Sequence, residues 1–374
     1  MKIIFICFNY LTLYKAICNI NKVYADCECL IIFRTSVSDA PSNIHQYYKV
    51  IEISVDRERS NKYLDVIQWG LVIRRTVDAM KMEIDTAKQM ILVVFKDNEK
   101  VESTLIEKFK EYTRQTGKVV LMDEGIGIYE KYLPRKTLGF KWAMVQKCFG
   151  MSAYFLNNYP QGFNPLVDEV VCSDVSLFVQ KGRDYLKVSE QRNLFTFENC
   201  RFFIEEIMGY FYKEIEKYMQ FDHVFLTQPE ESFLLTGYDE NDILNDICIN
   251  SGKRILIKKH PRDRRSKCNQ ENKNTMIYEL EDKFNDIPFE CLYGIMNSPV
   301  VITYCSSAYK NIIIDNEDAK IILLYKLLND RRINKIMEDL EQNYDKRIFI
   351  PDSMEELGRI VRKIANTNTI GAQM

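Results

Sequence analysis

Apolar runs of four to six residues recur along the chain, and longer polar stretches with helical periodicity separate them. In the first half the runs predict strands at Lys2 to Cys7, Cys29 to Phe33, Tyr48 to Ile53, Met90 to Phe95, Val119 to Met122 and Glu169 to Cys172. Asn61 to Lys81 and Asn98 to Thr116 read as helices between them. The second half repeats the style, with strands at His223 to Thr227, Arg254 to Lys258, Thr275 to Glu279, Val300 to Thr303, Lys320 to Leu324 and Ile348 to Ile350. Strand–helix alternation of this kind predicts α/β architecture with parallel sheets covered on both faces. The chain divides on this pattern into residues 1–175, a helical connection over 176–220 and a second α/β region over 221–374. Ser353-Met354-Glu355-Glu356 has capping-box spacing ahead of Leu357, Ile360 and Ile364, which predicts a terminal helix.

Composition narrows the classes. With 374 residues and 46% hydrophobic content, the chain can bury two cores. Lys and Arg number 51 and Asp and Glu 53, giving a net charge of -2 and no global reason to hold nucleic acid. The 11 cysteines are scattered, and Cys7, Cys172, Cys248 and Cys305 sit within apolar runs as small buried hydrophobes would. That usage predicts a reducing compartment without a disulfide framework. Cys27 and Cys29 lack the second Cys/His pair that a zinc site needs. The apolar run Met1 to Phe8 is too short for a signal peptide core and reads as a buried strand, and no run reaches the ~20 apolar residues of a spanning helix. A cytoplasmic enzyme is expected, with the basic stretches Arg262 to Lys267 and Arg135 to Lys147 offering peripheral contact to anionic headgroups.

Three short motifs carry candidate chemistry, each at a predicted strand end. Ligands of open α/β sheets bind beyond the carboxyl ends of strands. In the first motif the strand Val119 to Met122 runs into Asp123, Glu124 and Gly125. Adjacent, partly buried carboxylates suit proton transfer, and the glycine permits a sharp turn; capping of a following helix is the alternative. In the second, Lys258-Lys259-His260-Pro261-Arg262 ends a strand, with Arg264 and Arg265 close behind. The proline restricts the backbone of His260, one of three histidines, amid the densest basic cluster of the chain. An imidazole among cations suits a phosphate; a solvated basic loop is the alternative. In the third, Ser306 and Ser307 follow Val300 to Thr303, where a helix start offers hydroxyls and free N–H groups to an anion or an ordinary N-cap.

Acid pair, His-Pro and Ser-Ser, in that order, resemble the signature shared by bacterial sialyltransferases and polysialyltransferases. The first strand leading into Asn9-Tyr10-Leu11-Thr12-Leu13 resembles the opening of glycosyltransferase family 52, although the Pro and Gln that follow Thr in that family are absent here. Thr227-Gln228-Pro229 and Asp286-Ile287-Pro288-Phe289-Glu290 are similar to the same family. The resemblance implies a GT-B fold, two Rossmann-like domains facing a central cleft. It implies metal-independent, inverting transfer of sialic acid from CMP-sialic acid to a glycan hydroxyl such as galactose, with no further cofactor.

By the same resemblance Asp123 is the base and Glu124 its orienting neighbour, with Gly125, Asn9 and Tyr10 in the adjoining loops. His260 is catalytic as well, facing the CMP phosphate as hydrogen-bond donor or general acid to ease its departure. Ser306, Ser307, Pro261, Lys258, Arg262, Gln228 and Glu290 would hold the donor, and Asp123 and His260 would face one another across the cleft. A CMP-Kdo or UDP-hexose transferase and an idle sugar- or nucleotide-binding module are the competing readings. Partners are a nucleotide-sugar donor and a glycan acceptor, and a homodimer is left open.

Overall fold

The computed structural model describes the chain except residues 36–38, 55–61, 130–160, 180–185, 229–237, 261–262, 264–275, 329–332, 335–336, 339–344 and 372–374. Its strands form two parallel sheets. The first contains β1 (Lys2–Cys7), β2 (Glu28–Arg34), β3 (Val50–Ile53), β4 (Met90–Val94), β5 (Lys118–Met122), β6 (Glu169–Cys172) and β7 (Lys187–Glu190), in the order β3-β2-β1-β4-β5-β6-β7. The second contains β8 (His223–Leu226), β9 (Ile255–Lys258), β10 (Ile277–Glu279), β11 (Val300–Thr303), β12 (Ile321–Leu323) and β13 (Ile348–Phe349), in the order β10-β9-β8-β11-β12-β13. Every neighbouring pair runs parallel. The α/β fold with two Rossmann-like sheets is as the alternation predicts.

Strands covered on both faces are mostly apolar, because few of their side chains reach water. All six residues of β1 and all five of β4 are buried, and Phe5 pairs with Ile31 on one side and Val93 on the other. Between β1 and β2 runs the helix Tyr10–Lys22, started by a reciprocal cap in which Asn9 Oδ1 accepts from the Thr12 N–H at 2.8 Å and Thr12 Oγ1 accepts from the Asn9 N–H at 3.2 Å.

Contact density divides the chain into two units. One comprises Met1–Leu194 with Glu205–Gly209, and the other Phe195–Ile204 with Tyr210–Met374. The interval 176–220, expected as a helical connection, is therefore shared out between them. It also holds β7, which the sequence reading missed. That strand lies at a sheet edge and reads Lys-Val-Ser-Glu, so the apolar run that marks a central strand is absent.

The terminal helix Met354–Gly371 packs against Glu240–Ser251 of its own unit, with Arg362 Nη1 donating to Asn250 Oδ1 at 2.5 Å. Its start matches the expected cap in one half. Ser353 Oγ accepts from the Glu356 N–H at 3.3 Å, while Glu356 accepts from the Asp352 N–H at 2.7 Å, one residue outside the capping-box partner. Cys7, Cys172 and Cys248 are buried as expected, whereas Cys305 is only half-buried, since it lies beyond the end of β11.

Candidate active site

In the first unit the strand order reverses between β1 and β4, and the residues just beyond β1, β4 and β5 gather at that carboxyl edge. Asn9 follows β1, Lys96 follows β4, and Asp123 and Glu124 follow β5. The two acids have different surroundings. Asp123 is buried, and its Oδ1 lies 2.6 Å from Lys15 Nζ. Its Oδ2 accepts from Tyr129 Oη at 2.9 Å, from Ser173 Oγ at 2.6 Å and from the Ser173 N–H at 2.9 Å. Burial alone would raise this carboxyl, but the Lys15 charge and the hydrogen bonds from Lys15 and Ser173 outweigh it and hold it below the usual range. The 3-10 turn Ile126–Tyr129 that follows Gly125 brings Tyr129 back onto Asp123.

Glu124 is held more loosely and is partly open to solvent. Asn9 Nδ2 donates to its Oε1 at 3.0 Å, and Lys96 Nζ lies 3.3 Å from its Oε2. Burial raises this carboxyl above the ordinary value, with Lys96 and Asn9 opposing. Phe8 forms the floor, with the Lys96 ammonium 4.9 Å and the Arg34 guanidinium 5.4 Å from its ring centre. Arg34 is itself ion-paired with Glu102. Tyr10 is directed elsewhere: it stacks on Phe33, and its hydroxyl donates to the Asp39 carbonyl at 2.7 Å.

In the second unit the order reverses between β8 and β11, and β9 flanks β8. Thr227, His260 and the serine pair thus lie at one carboxyl edge. Thr227 Oγ1 accepts from the His260 N–H at 3.0 Å and donates to Asp263 Oδ2 at 2.7 Å. The Asp263 N–H donates to the His260 carbonyl at 2.8 Å. Gln228 Nε2 reaches Thr303 Oγ1 at 3.5 Å, and Cys305 Sγ lies 3.7 Å from Gln228 Oε1. Ser306 Oγ accepts from the Ala308 N–H at 3.4 Å, while Ser307, at the cap of the helix Ala308–Asp315, makes no side-chain capping bond. Ser307 thus holds the N-cap position without the side-chain bond of an ordinary cap, and Ser306, one residue earlier, makes a local turn bond instead.

Two expected donor contacts point inward instead. Lys258 is buried, its Nζ donating to the Asn285 carbonyl at 2.7 Å, and burial pulls it down to about 8 against the raising effect of Glu290 and Asp286. Glu290 is buried in the helix Phe289–Tyr293 and accepts from Asn311 Nδ2 at 3.0 Å. Both brace the loops around His260 and Ser307 from within, because their strand-end and helix-start positions fall on the core-facing side. Pro261 and Arg262, with the stretch 135–147 and all of 262–267 but Asp263, lie outside the described residues.

Sequence reasoning missed Lys15, Lys96, Tyr129 and Ser173, and singled out Thr227 only as part of the Thr227-Gln228-Pro229 segment. Lys96, Ser173 and Thr227 follow β4, β6 and β8, so the strand-end rule could have found them. Lys15, a lysine within the apolar run Leu13-Tyr14-Lys15-Ala16-Ile17, signalled a buried partner without naming it.

The model of the alpha-2,8-polysialyltransferase (POLYST) family matches residues 3–321. No curated protein matches the chain in sequence. Among solved structures, Arabidopsis thaliana UGT89C1 complexed with UDP-L-rhamnose superposes with a TM-score of 0.59 at 7% identity, covering 97% of this chain and 89% of that one. A variant of Os79 from O. sativa in complex with UDP gives 0.52 at 12% identity, covering 97% and 90%. The glycotransferase of kitacinnamycin gives 0.51 at 7%, covering 99% and 91%. These likenesses show a GT-B fold. The resemblance drawn from the motifs holds at the level of a sialyltransferase-type family; the matching model is the polysialyltransferase one, and no curated relative adds support for family 52.

Proposed function

This chain belongs to the alpha-2,8-polysialyltransferase family, is a glycosyltransferase, and, we propose, transfers sialic acid from CMP-sialic acid to a glycan hydroxyl with inversion. The observation that carries the reading is the contrast within the acid pair. The resemblance gives the base to Asp123, but its carboxylate is buried, ion-paired and saturated with hydrogen bonds. Glu124 is partly open and raised, and from the end of β5 it reaches Asn9 and Lys96 beyond β1 and β4, the two strands that flank the switch point. A base must reach its proton and be basic enough to take it. Glu124 therefore accepts the proton of the acceptor hydroxyl, and Asp123 fixes the turn that presents it.

On the donor side, His260 and the Ser307 hydroxyl receive the phosphate. As the bond from the anomeric carbon to the phosphate oxygen breaks, charge grows on that phosphate, and preorganised donors stabilise it. The acceptor oxygen forms the new bond from the opposite face, which inverts the anomeric centre. CMP leaves with one phosphate, so hydrogen-bond donors and cations suffice in place of a divalent ion. Among the described residues no group of three or more His, Cys, Asp or Glu is placed to hold a metal. The acceptor is a surface glycan ending in galactose or in sialic acid, the latter following from the family description. Among the described residues no helix is long and apolar enough to cross a membrane, and the reading places the enzyme in the cytoplasm, touching the membrane peripherally at most.

The test is CMP release and product formation with CMP-sialic acid, CMP-Kdo and UDP-hexoses in parallel, each with galactose-terminated and sialic acid-terminated acceptors. CMP-sialic acid alone should turn over, and Glu124→Gln should cut turnover about 10²-fold or more. Turnover with another donor only, or none with any donor by a folded protein, would refute the reading.

A further inference from the structure

The carboxyl edge of the first sheet carries a cation that the reaction scheme above leaves without a role. Lys96 stands just past β4, with its ammonium 3.3 Å from Glu124 Oε2 and 4.9 Å from the centre of the Phe8 ring. Its side chain is about as exposed as that of Glu124, at 31% against 23%. Among the described residues no other cation is ion-paired with Glu124. Asn9, fixed by its own helix cap, takes the other carboxylate oxygen. We infer that Lys96 is the positioning residue of Glu124: with Asn9 it fixes both carboxylate oxygens and keeps the group ionised while the acceptor hydroxyl approaches. The inference rests on Glu124 being the proton acceptor.

The geometry explains why a cation belongs there. Glu124 has lost part of its water, and burial pushes its carboxyl upward. The charged groups around it come from four elements. Lys96 follows β4 and opposes that push; Glu102, in the helix Lys100–Tyr112, adds to it. Arg34, at the end of β2, is committed to Glu102. Asp123, the chain neighbour, is committed to Lys15. Without Lys96 the upward push would go unopposed except by the Asn9 amide, and Glu124 would hold its proton to a higher pH. A protonated Glu124 accepts nothing, so Lys96 sets the pH at which the base becomes competent. Phe8 and the strand end hold the ammonium in place, since a flexible surface lysine would lose most of its effect to solvent screening.

The experiment compares Lys96→Met, Lys96→Gln and Lys96→Arg with the parent enzyme. It records kcat/KM with CMP-sialic acid from about pH 5 to about pH 10 and checks thermal midpoints for folding. Loss of the ammonium should move the acid limb of the profile upward by about one pH unit or more. Alkaline activity should recover to within a few-fold of the parent, and Lys96→Arg should leave the limb in place. A uniform loss at every pH, with the limb unmoved in both neutral variants, overturns the inference. Glu124→Gln, measured alongside, separates the two claims. If it keeps near-parent turnover, the reading of Glu124 falls and this inference with it. If it loses turnover while the limb of Lys96→Met stays put, only the role of Lys96 falls.

Discussion

The ammonium of Lys15 lies 2.6 Å from Asp123 Oδ1, and both side chains are almost closed to solvent. A second bond from the same nitrogen to the Asp123 carbonyl, at 3.0 Å, ties the lysine to the backbone of the turn. The helix after β1 is thereby pinned to the end of β5, where Glu124 begins.

Breaking this pair should cost stability before it costs chemistry. Lys15→Met leaves a buried carboxylate without its charge partner, a loss of about 3–5 kcal/mol. Asp123→Asn should lose stability on a similar scale and activity in step with it. Glu124→Gln should stay within about 1 kcal/mol of the parent while losing turnover. Urea melts beside initial rates separate the two acids; an Asp123→Asn protein of parental stability would contradict the anchoring role. Because the folded Asp123 carboxyl is held below its ordinary 3.8, its contribution is present above that value and is lost only as the pH falls through the depressed one. Acid loss from this group should therefore begin below about pH 4.

His223 starts β8, is almost wholly buried, and burial drives it from 6.5 down to about 4. Among the described residues neither ring nitrogen finds a hydrogen-bond partner. The unfolded chain binds the proton more readily, so this site costs nothing above about pH 6.5 and destabilises as the pH falls from there toward 4. The full effect is about 3 kcal/mol. His223→Phe should flatten the dependence of the urea midpoint between pH 7 and pH 5; an unchanged slope would refute it.

Thr227 bridges the His260 N–H and the Asp263 carboxylate through one hydroxyl. Thr227→Val removes both bonds and should lower kcat about tenfold, the scale of one lost hydrogen bond. Thr227→Ser keeps the hydroxyl and should recover most of it. If valine keeps near-parent turnover, or serine falls as far as valine, the hydroxyl bridge is not what sets the rate at this position.

Transfer should persist after exhaustive treatment with EDTA, because the leaving phosphate is met by His260 and serine donors in the proposed scheme. Rates measured with and without added Mg²⁺ or Mn²⁺ check this. Complete loss in chelator, restored by either ion, would show that the donor phosphate needs a metal.

Apolar runs alone determined the central strands. A strand such as β4, covered on both faces, is apolar throughout, so composition and structure coincide there. The strand-end rule likewise found Asp123, Glu124, His260 and the serine pair, since polar residues directly after such runs must sit at a sheet edge. The sequence could not show β7, whose polar residues obey no burial constraint at the sheet margin. Nor could it rank the two acids. Lys15, Tyr129 and Ser173 surround Asp123, and Asn9 and Lys96 hold Glu124, from positions 6 to 115 residues away or on separate strands. Which side of the chain faces the core decided that Lys258 and Glu290 turn inward while Glu124 stays open. Burial and charge pairing act through space, and parallel packing brings together residues that their order along the chain keeps apart.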